Sequence, residues 1–379
     1  MKMSSGRLNW IDNARGIAII LVVYRHVFEG LKNTSILSVA GNYQLLENLQ
    51  ITFFSFRMPL FFIITGVFIQ RSIEKRIYSD WFKYKVSTIL YPYFLWGSIQ
   101  ILIKIIFGSF VNSDVSWKSF SYLFYLPKEV DQFWYLLALF NISVLWITLK
   151  VKLKMSPLQG VALGFIMYIL SAFISQQSIE LGFVTDILHC FIYVALGDWI
   201  SGSLRKGWLM NAIQSWKTFF IVLPLFVVSQ YYFLQTNLDA FSISSNHLLT
   251  NVGSGIENIY KDFLYVEYFE PFKYLFIALL GCFFIFCFSY QLSKIKSNIF
   301  LSWFGKHSLY IYLLHVIVFA ATRIFLMKVF HLTNVPLLMI CCITAGLTGS
   351  IMIFKIVQHF KIGYIFSFEP VQQSNEKNA

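Results

Sequence analysis

The chain has 379 residues, of which 57% are hydrophobic and 13% are charged, and it contains 41 Phe, 21 Tyr and 10 Trp. Soluble domains are about 45–50% apolar and about 25% charged, so this composition excludes an ordinary soluble protein and predicts a polytopic membrane protein in contact with membrane lipids. The net charge of +12 is typical of cytoplasmic loops rich in Lys and Arg, and we expect no nucleic-acid partner.

The apolar runs predict an all-α fold of about ten transmembrane helices, because a helix needs about 20 residues to cross a bilayer. A membrane barrel would instead show short segments of alternating hydrophobicity. The predicted spans are 11–30, 49–70, 87–108, 132–149, 157–175, 184–201, 216–235, 270–290, 306–328 and 336–356. The distribution of Lys and Arg between the loops places both termini in the cytoplasm. We assign residues 1–369 to one membrane domain and the polar residues 370–379 to a disordered cytoplasmic tail.

The first predicted span carries Asp12, Arg15, Arg25, His26 and Glu29. Ionisable residues are costly in a bilayer and usually functional there, and the charges with no small-residue cleavage site favour a retained span over a signal peptide. Arg15 and His26 are eleven residues apart, which places them on one helix face about 16 Å apart. Asp12 and Glu29 each lie three residues from one of them, within reach of an ion pair. This stripe is expected to face protein and not lipid.

The second span contains Arg57 two residues before Pro59, in the run F-R-M-P-L-F-F. Pro in mid-span bends a helix, and we interpret Arg57 as facing the protein interior, the alternative being a side chain that reaches an interface. The segment that follows is the most basic of the chain and includes Lys83 and Lys85. It is either a solvated inner loop or a binding site for the phosphates of coenzyme A.

Two later residues have both a structural and a functional interpretation. Trp134 begins the fourth span and fits either an aromatic belt or a substrate contact. His315 lies deep in the ninth span. It is either a neutral histidine that donates a hydrogen bond to a neighbouring helix or a substrate-binding group. The polar loop 236–269 is either a lid or an ordered connection. Since no P-loop, paired-cysteine motif or G-x-S-x-G motif occurs, the sequence does not support nucleotide hydrolysis, zinc chemistry or an ordinary serine hydrolase. We expect no metal site and no bound cofactor.

A histidine in a desolvated helix with a carboxylate within reach is the arrangement of a general base for acyl transfer to a hydroxyl. An arginine three turns away suits a donor that carries phosphates. Transporters also place His, Arg and Asp in their pores, so a flippase for a lipid-linked saccharide is the alternative. A polysaccharide polymerase is a weaker alternative, because we would expect a polymerase to have a much larger outer loop.

Four segments resemble the membrane acyltransferase-3 family in the same order. They are I-D-N-A-R-G-I-A with His26 following, F-R-M-P-L-F-F-I-I-T-G, Q-F-W-Y-L-L-A-L-F and F-G-K-H-S-L-Y-I-Y-L-L-H. The resemblance implies a bacterial inner-membrane enzyme that moves an acyl group, usually acetyl, from cytoplasmic acyl-CoA. The acceptor would be a hydroxyl of a cell-surface polysaccharide or its lipid-linked precursor.

The family's essential arginine and histidine match Arg15 and His26. We expect Arg15, oriented by Asp12, to hold acetyl-CoA near its phosphates, and His26 to act as general base or to accept the acyl group. Predicted substrate contacts are Arg57, Lys83, Lys85, Glu29, Trp134 and His315. The chain departs from the pattern in having Arg25 beside the histidine and lysines at 83 and 85 where many relatives have arginines. It carries no appended esterase-like domain, so the membrane part or a separate protein is expected to complete the transfer.

Overall fold

A computed structural model describes residues 9–32, 34, 43–74, 76–108, 115–205, 207–245, 264–295 and 299–368. Within these ranges the regular structure is helical and contains no strand, which confirms the predicted all-α class. The tail predicted at 370–379 lies outside the described residues, and the assignment of 1–369 to one membrane domain stays a prediction.

The helices of the described ranges follow one another along the chain in this order. They are α1 (Asn9–Lys32), α2 (Gln44–Thr52), α3 (Phe54–Glu74), α4 (Tyr78–Lys85), α5 (Tyr91–Ile106), α6 (Ser119–Tyr125), α7 (Trp134–Lys152), α8 (Pro157–Gln176), α9 (Phe183–Arg205), α10 (Trp208–Gln214), α11 (Trp216–Ser245), α12 (Tyr265–Phe269), α13 (Pro271–Ser293), α14 (Ile299–Lys306), α15 (Ser308–Lys328), α16 (Val335–Thr344) and α17 (Ser350–His359). The described ranges also contain π-helical turns at Val86–Leu90 and Ala345–Gly349 and 3₁₀ turns at Pro127–Phe133 and Gly363–Ile365.

Nine segments of the described chain are long and apolar enough to cross a membrane. They are Gln44–Glu74, Tyr78–Ile106, Pro127–Lys152, Pro157–Gln176, Phe183–Arg205, Trp216–Ser242, Pro271–Ser293, Ser308–Lys328 and Val335–His359. Each overlaps one predicted span, and together they confirm a multi-pass membrane protein. The remaining predicted span is α1, whose 24 residues are long enough to cross but include several charges. We count it as the tenth because residues 16–24 are uncharged.

The structure differs from the predicted boundaries in two places. The third span begins with α4 at Tyr78, so Lys83 and Lys85 are helical and not part of a loop. A π-helical turn joins α4 to α5, so one continuous helical segment runs from Tyr78 to Ile106. Of the predicted outer loop 236–269, residues 236–245 belong to α11 and residues 265–269 to α12, while 246–263 lie outside the described residues.

The chain forms two compact units, each assembled from segments distant in sequence. The first unit comprises Met1–Gly41, Phe82–Phe120 and Ser289–Ala379, and the second comprises Asn42–Trp81 and Ser121–Phe288. The first therefore contains α1, α5 and α14 to α17, and the second contains most of the remaining helices.

In the first unit, α1 packs against α14 through a pair of glycines. A Cβ atom on Gly305 would lie 1.8 Å from the Asp12 carbonyl oxygen, and one on Gly16 would lie 2.2 Å from the Leu301 carbonyl oxygen. Only glycine permits so close an approach of two backbones, and small residues are the usual means of it between membrane helices. The glycine after Arg15 in the first signature therefore meets the glycine of the fourth signature.

The second unit uses the same device between α3 and α9. A Cβ atom on Gly66 would lie 2.1 Å from the Val194 carbonyl oxygen, and one on Gly197 would lie 2.1 Å from the Ile63 carbonyl oxygen. The phenyl ring of Phe62 packs 5.0 Å from the ring of Tyr135 on α7. Thus the second and third signatures lie together in this unit.

The α1–α14 contact predicts that Gly305→Ala destabilises the protein by about 1–3 kcal/mol, because the added methyl group forces two backbones apart. The measurement is the midpoint of thermal unfolding in detergent. Gly202→Ala is the matched control, since a Cβ atom added to Gly202 would have nothing within 4 Å. We expect its unfolding midpoint to be unchanged or higher, because alanine is more favourable than glycine in a helix by up to about 1 kcal/mol. Equal midpoints for Gly305→Ala and the parent protein would contradict the contact.

Candidate active site

The charged stripe of α1 begins in the buried first turns of the helix. Asp12 is buried, and its carboxylate lies 3.9 Å from the guanidinium of Arg15, whose side chain is 30% exposed. The predicted ion pair is therefore present. Because the adjacent Gly16 fixes α1 against α14, the position of Arg15 is set by backbone packing.

His26 lies near the other end of α1 and faces a carboxylate. Its Nδ1 is 3.6 Å from Oε2 of Glu29, and the side chain of His26 is 20% exposed. Arg25 donates from Nε to Oε1 of the same carboxylate at 2.5 Å. Arg25, which departs from the family pattern, thus pairs with Glu29, and the Glu29 carboxylate contacts both Arg25 and His26.

His315 of α15 lies beside His26, with the ring centroids 5.2 Å apart. Its Nδ1 is 2.9 Å from the carbonyl oxygens of both Ile311 and Tyr312. Carbonyl oxygens only accept hydrogen bonds, so Nδ1 carries the proton and Nε2 presents a lone pair. His315 is fully buried, and its Nε2 has no hydrogen-bond partner in the described part of the chain. A buried acceptor of this kind is costly unless a donor reaches it.

The π-helical turn at Ala345–Gly349 packs against both α1 and α15. A Cβ atom on Gly346 would lie 3.2 Å from Cγ1 of Val23 and 3.8 Å from Cβ of His315. Isolated π turns inside helices often mark functional sites. Sequence reasoning missed this feature, because a π turn leaves the hydropathy pattern of a span unchanged.

Arg323 is a second residue that sequence reasoning missed. It is largely buried on α15 and donates a hydrogen bond from a guanidinium nitrogen to the carbonyl oxygen of Gly30. The last carbonyls of a helix lack partners within the helix and carry partial negative charge, so a guanidinium is favourable there. An arginine within an apolar span is itself the signal that could have found it.

The predicted contacts Arg57 and Trp134 belong to the second unit. Arg57 is buried, as predicted, and its guanidinium carbon lies 5.4 Å from the centroid of the Phe54 ring. Trp134 is partly buried at the start of α7, with the ammonium of Lys128 5.8 Å from its ring. Both are cation–π distances.

The predicted contacts Lys83 and Lys85 lie on α4, between α3 and α5 along the chain. Lys83 is exposed and Lys85 is partly exposed.

The comparison with protein families decides the class of this protein. The model of the acyltransferase-3 family, which is described as an acyltransferase domain, matches residues 8–355. The chain belongs to this family. No curated protein and no solved structure matches it.

The geometry gives this acyltransferase a group suited to proton transfer. His26 is the one histidine of α1, and its ring has a carboxylate on one side and a second imidazole on another. A histidine placed between an acidic partner and an unpaired acceptor can take up and return a proton. Within the described residues, no group of three or more His, Cys, Asp and Glu side chains could hold a metal ion.

We predict that His315→Asn lowers the rate of acyl transfer by about a hundredfold, the lower end of general acid–base contributions. The asparagine amide can still donate to the Ile311 and Tyr312 carbonyl oxygens, but it lacks a lone pair at the position of Nε2. The measurement is the turnover number of acyl transfer, beside the amount of protein in the membrane. A normal turnover number would exclude a role for Nε2.

Proposed function

We propose that this acyltransferase moves an acetyl group from cytoplasmic acetyl-CoA to a hydroxyl of a cell-surface polysaccharide or its lipid-linked precursor. The observation that carries the proposal is His26, held beside Glu29 and His315 on the charged helix of an acyltransferase domain. Membership of this family favours group transfer over the alternative, a flippase for a lipid-linked saccharide.

In the proposed reaction, His26 is the general base. Its Nδ1 faces Glu29, so a proton on Nδ1 leaves the lone pair on Nε2 for the acceptor hydroxyl. The hydroxyl oxygen attacks the thioester carbon while Nε2 takes its proton. The C–S bond then breaks, and the thiolate of coenzyme A recovers the proton from His26. The carboxylate of Glu29 stabilises the transient imidazolium.

A covalent route fits the same residues. Nε2 of His26 would attack the thioester carbon, and the C–S bond would break with the thiolate of coenzyme A taking up the Nδ1 proton. The acceptor hydroxyl would then take the acetyl group from Nε2, and its proton would return to the imidazole. Mass spectrometry of protein incubated with acetyl-CoA alone separates the two routes. Acetylated His26 supports the covalent route, and an unmodified residue supports the general base.

Arg15 is the proposed contact to the phosphates of acetyl-CoA. Its guanidinium is near Asp12 at 3.9 Å and partly exposed, so it is oriented and still accessible. A guanidinium binds phosphate with two parallel hydrogen bonds, which a lysine ammonium cannot reproduce. Arg57, Lys83 and Lys85 are proposed as further basic contacts to substrate, and Trp134 as an apolar one.

We therefore expect Arg15→Lys to raise the KM for acetyl-CoA about tenfold while the charge is kept. Initial rates of coenzyme A release over a range of acetyl-CoA concentrations provide the measurement. Arg205→Lys, at the end of α9, is the control and should leave the KM unchanged. Identical KM values for both variants would remove Arg15 from donor binding.

The proposed setting is the bacterial inner membrane with both termini in the cytoplasm. The support is the distribution of charge, since Lys and Arg concentrate on the cytoplasmic side of membrane proteins. One end of the second unit carries the last turn of α7, with Lys150 and Lys152, and the last turn of α9, with Arg205. We place that end in the cytoplasm, and the connection between α8 and α9 on the outer side.

The decisive experiment compares the acetyl content of the host's purified surface polysaccharides by proton NMR. Strains carry the intact protein, no copy, His26→Ala or the control His359→Ala, whose histidine is exposed at the end of α17. We expect one O-acetyl signal to disappear in the deletion and in His26→Ala, because both lack the base. The His359→Ala strain should retain the signal.

The amount of each variant in the membrane is measured in the same strains. An unchanged acetyl pattern in the deletion would contradict a polysaccharide acceptor. If the deletion strain also failed to export polysaccharide while His26→Ala exported normally, the transporter alternative would replace acetyl transfer.

A further inference from the structure

A buried polar cluster lies in the second unit, around His189 of α9. Asp186, His189 and Tyr193 follow one another at helical spacing, so they project from one face of α9. His189 Nε2 is 3.1 Å from Oε1 of Glu267 on α12, and its Nδ1 is 3.3 Å from Oγ of Ser171 on α8. The proposed reaction at His26 uses none of these residues.

One ion pair and one contact between a histidine and a carboxylate form the centre of this cluster. Lys128 Nζ is 2.9 Å from Oδ1 of Asp186, beside the contact between His189 and Glu267. Ser171 donates its hydroxyl proton to the Tyr168 carbonyl oxygen at 2.7 Å. Its oxygen lies 3.3 Å from Nδ1 of His189, and the other ring nitrogen, Nε2, faces the carboxylate of Glu267.

Each carboxylate of the cluster has one oxygen without a partner. Within the described residues, Oδ2 of Asp186, Oε2 of Glu267 and the hydroxyl of Tyr193 are buried and make no hydrogen bond. The three residues are at most 8% exposed. Unsatisfied buried groups cost free energy, and three of them in one cluster indicate a place where a ligand or water supplies hydrogen bonds.

Aromatic rings surround the same histidine. The rings of Tyr168, Tyr268 and Tyr274 lie 5.1, 6.0 and 6.1 Å from the His189 ring. Burial and the nearby carboxylate charges raise the pKa of Tyr268, so its hydroxyl stays protonated. Rings of this kind supply apolar faces next to the free carboxylate oxygens.

The cluster reaches the surface of the unit at one end. The side chain of Lys128 is 53% exposed although its ammonium contacts the buried Asp186. Ser171 lies near the end of α8, and Asp186 lies in the first turn of α9. This is the end at which residues 177–182 connect the two helices, which the proposed orientation places on the outer side of the membrane.

We propose that Asp186, Glu267 and Tyr193, with the tyrosine rings around His189, bind neighbouring hydroxyls of a saccharide. The chemistry of the free atoms selects this class of ligand. The two free carboxylate oxygens require donors, which hydroxyls supply, and the carboxylates repel an anion. A cationic ligand would compete with Lys128, which already balances Asp186. This inference rests on the proposed function, which supplies the class of saccharide, a surface polysaccharide or its precursor.

The test measures binding and not transfer, so that it is independent of the reaction. The probe is an oligosaccharide released from the surface polysaccharide of the deletion strain and labelled with tritium. All proteins are full-length, purified in detergent and carry His26→Ala, which prevents turnover. Equilibrium binding is compared for this parent and for Glu267→Gln, which replaces the free acceptor Oε2 with an amide donor.

We expect Glu267→Gln to weaken binding at least tenfold. Asp198→Asn is the matched control, since Asp198 forms a buried ion pair away from the cluster, 2.8 Å from Lys150 Nζ. It should bind the oligosaccharide as the parent does. Failure of the parent to bind, or equal binding by Glu267→Gln, would overturn the subsite and indicate a cluster filled by water only.

Tyr193→Phe keeps the test decisive if Glu267→Gln does not fold. It removes only a hydroxyl that has no partner in the described structure, so a purely structural cluster predicts equal or higher thermal stability and unchanged binding. A binding subsite predicts equal or higher stability with binding at least threefold weaker. The proposed function fails by a different result, an unchanged acetyl pattern in the deletion strain.

Discussion

The cost of placing charges inside a bilayer determines how the first unit is built. A single Asp, Lys or Arg at the centre of a membrane helix costs about 2.5–3.5 kcal/mol, and α1 carries Asp12, Arg15, Arg25 and Glu29. Each has an oppositely charged neighbour within one turn. Most of the remaining surface of α1 is buried by protein. The helix is therefore stable in a membrane only with its neighbours packed around it.

Packing and chemistry are joined in the first signature. Gly16 allows α14 to approach until a Cβ on Gly305 would overlap the Asp12 carbonyl oxygen. Asp12 and Arg15 flank this contact, so the same backbone approach that excludes lipid also fixes the ion pair. Glycine at this position is required by geometry, and a larger residue would separate the helices and leave the charges less well covered.

The sequence predicts the local features of this protein and not those that depend on distant segments. The spans and the ion pairs within α1 follow from residues close together in the chain, so hydropathy and helical spacing were sufficient. The neighbour of His26 is His315, 289 residues away, and no sequence spacing indicates that their rings meet. Glu267 likewise reaches His189 from a short helix that lies in a predicted loop. Their contacts depend on how helices pack, which side-chain periodicity leaves undetermined.

Each unit contains a buried ionisable residue with an unpaired acceptor atom. In the described structure these atoms are Nε2 of His315 in the first unit, and Oδ2 of Asp186 and Oε2 of Glu267 in the second. Backbone and side-chain contacts fix the other polar atom of each residue, so rotation to satisfy the unpaired atom would break an existing bond. Such atoms are complementary to O–H groups. A protein that must hold a hydroxyl and remove its proton needs this kind of acceptor, kept dry and already oriented before the substrate arrives.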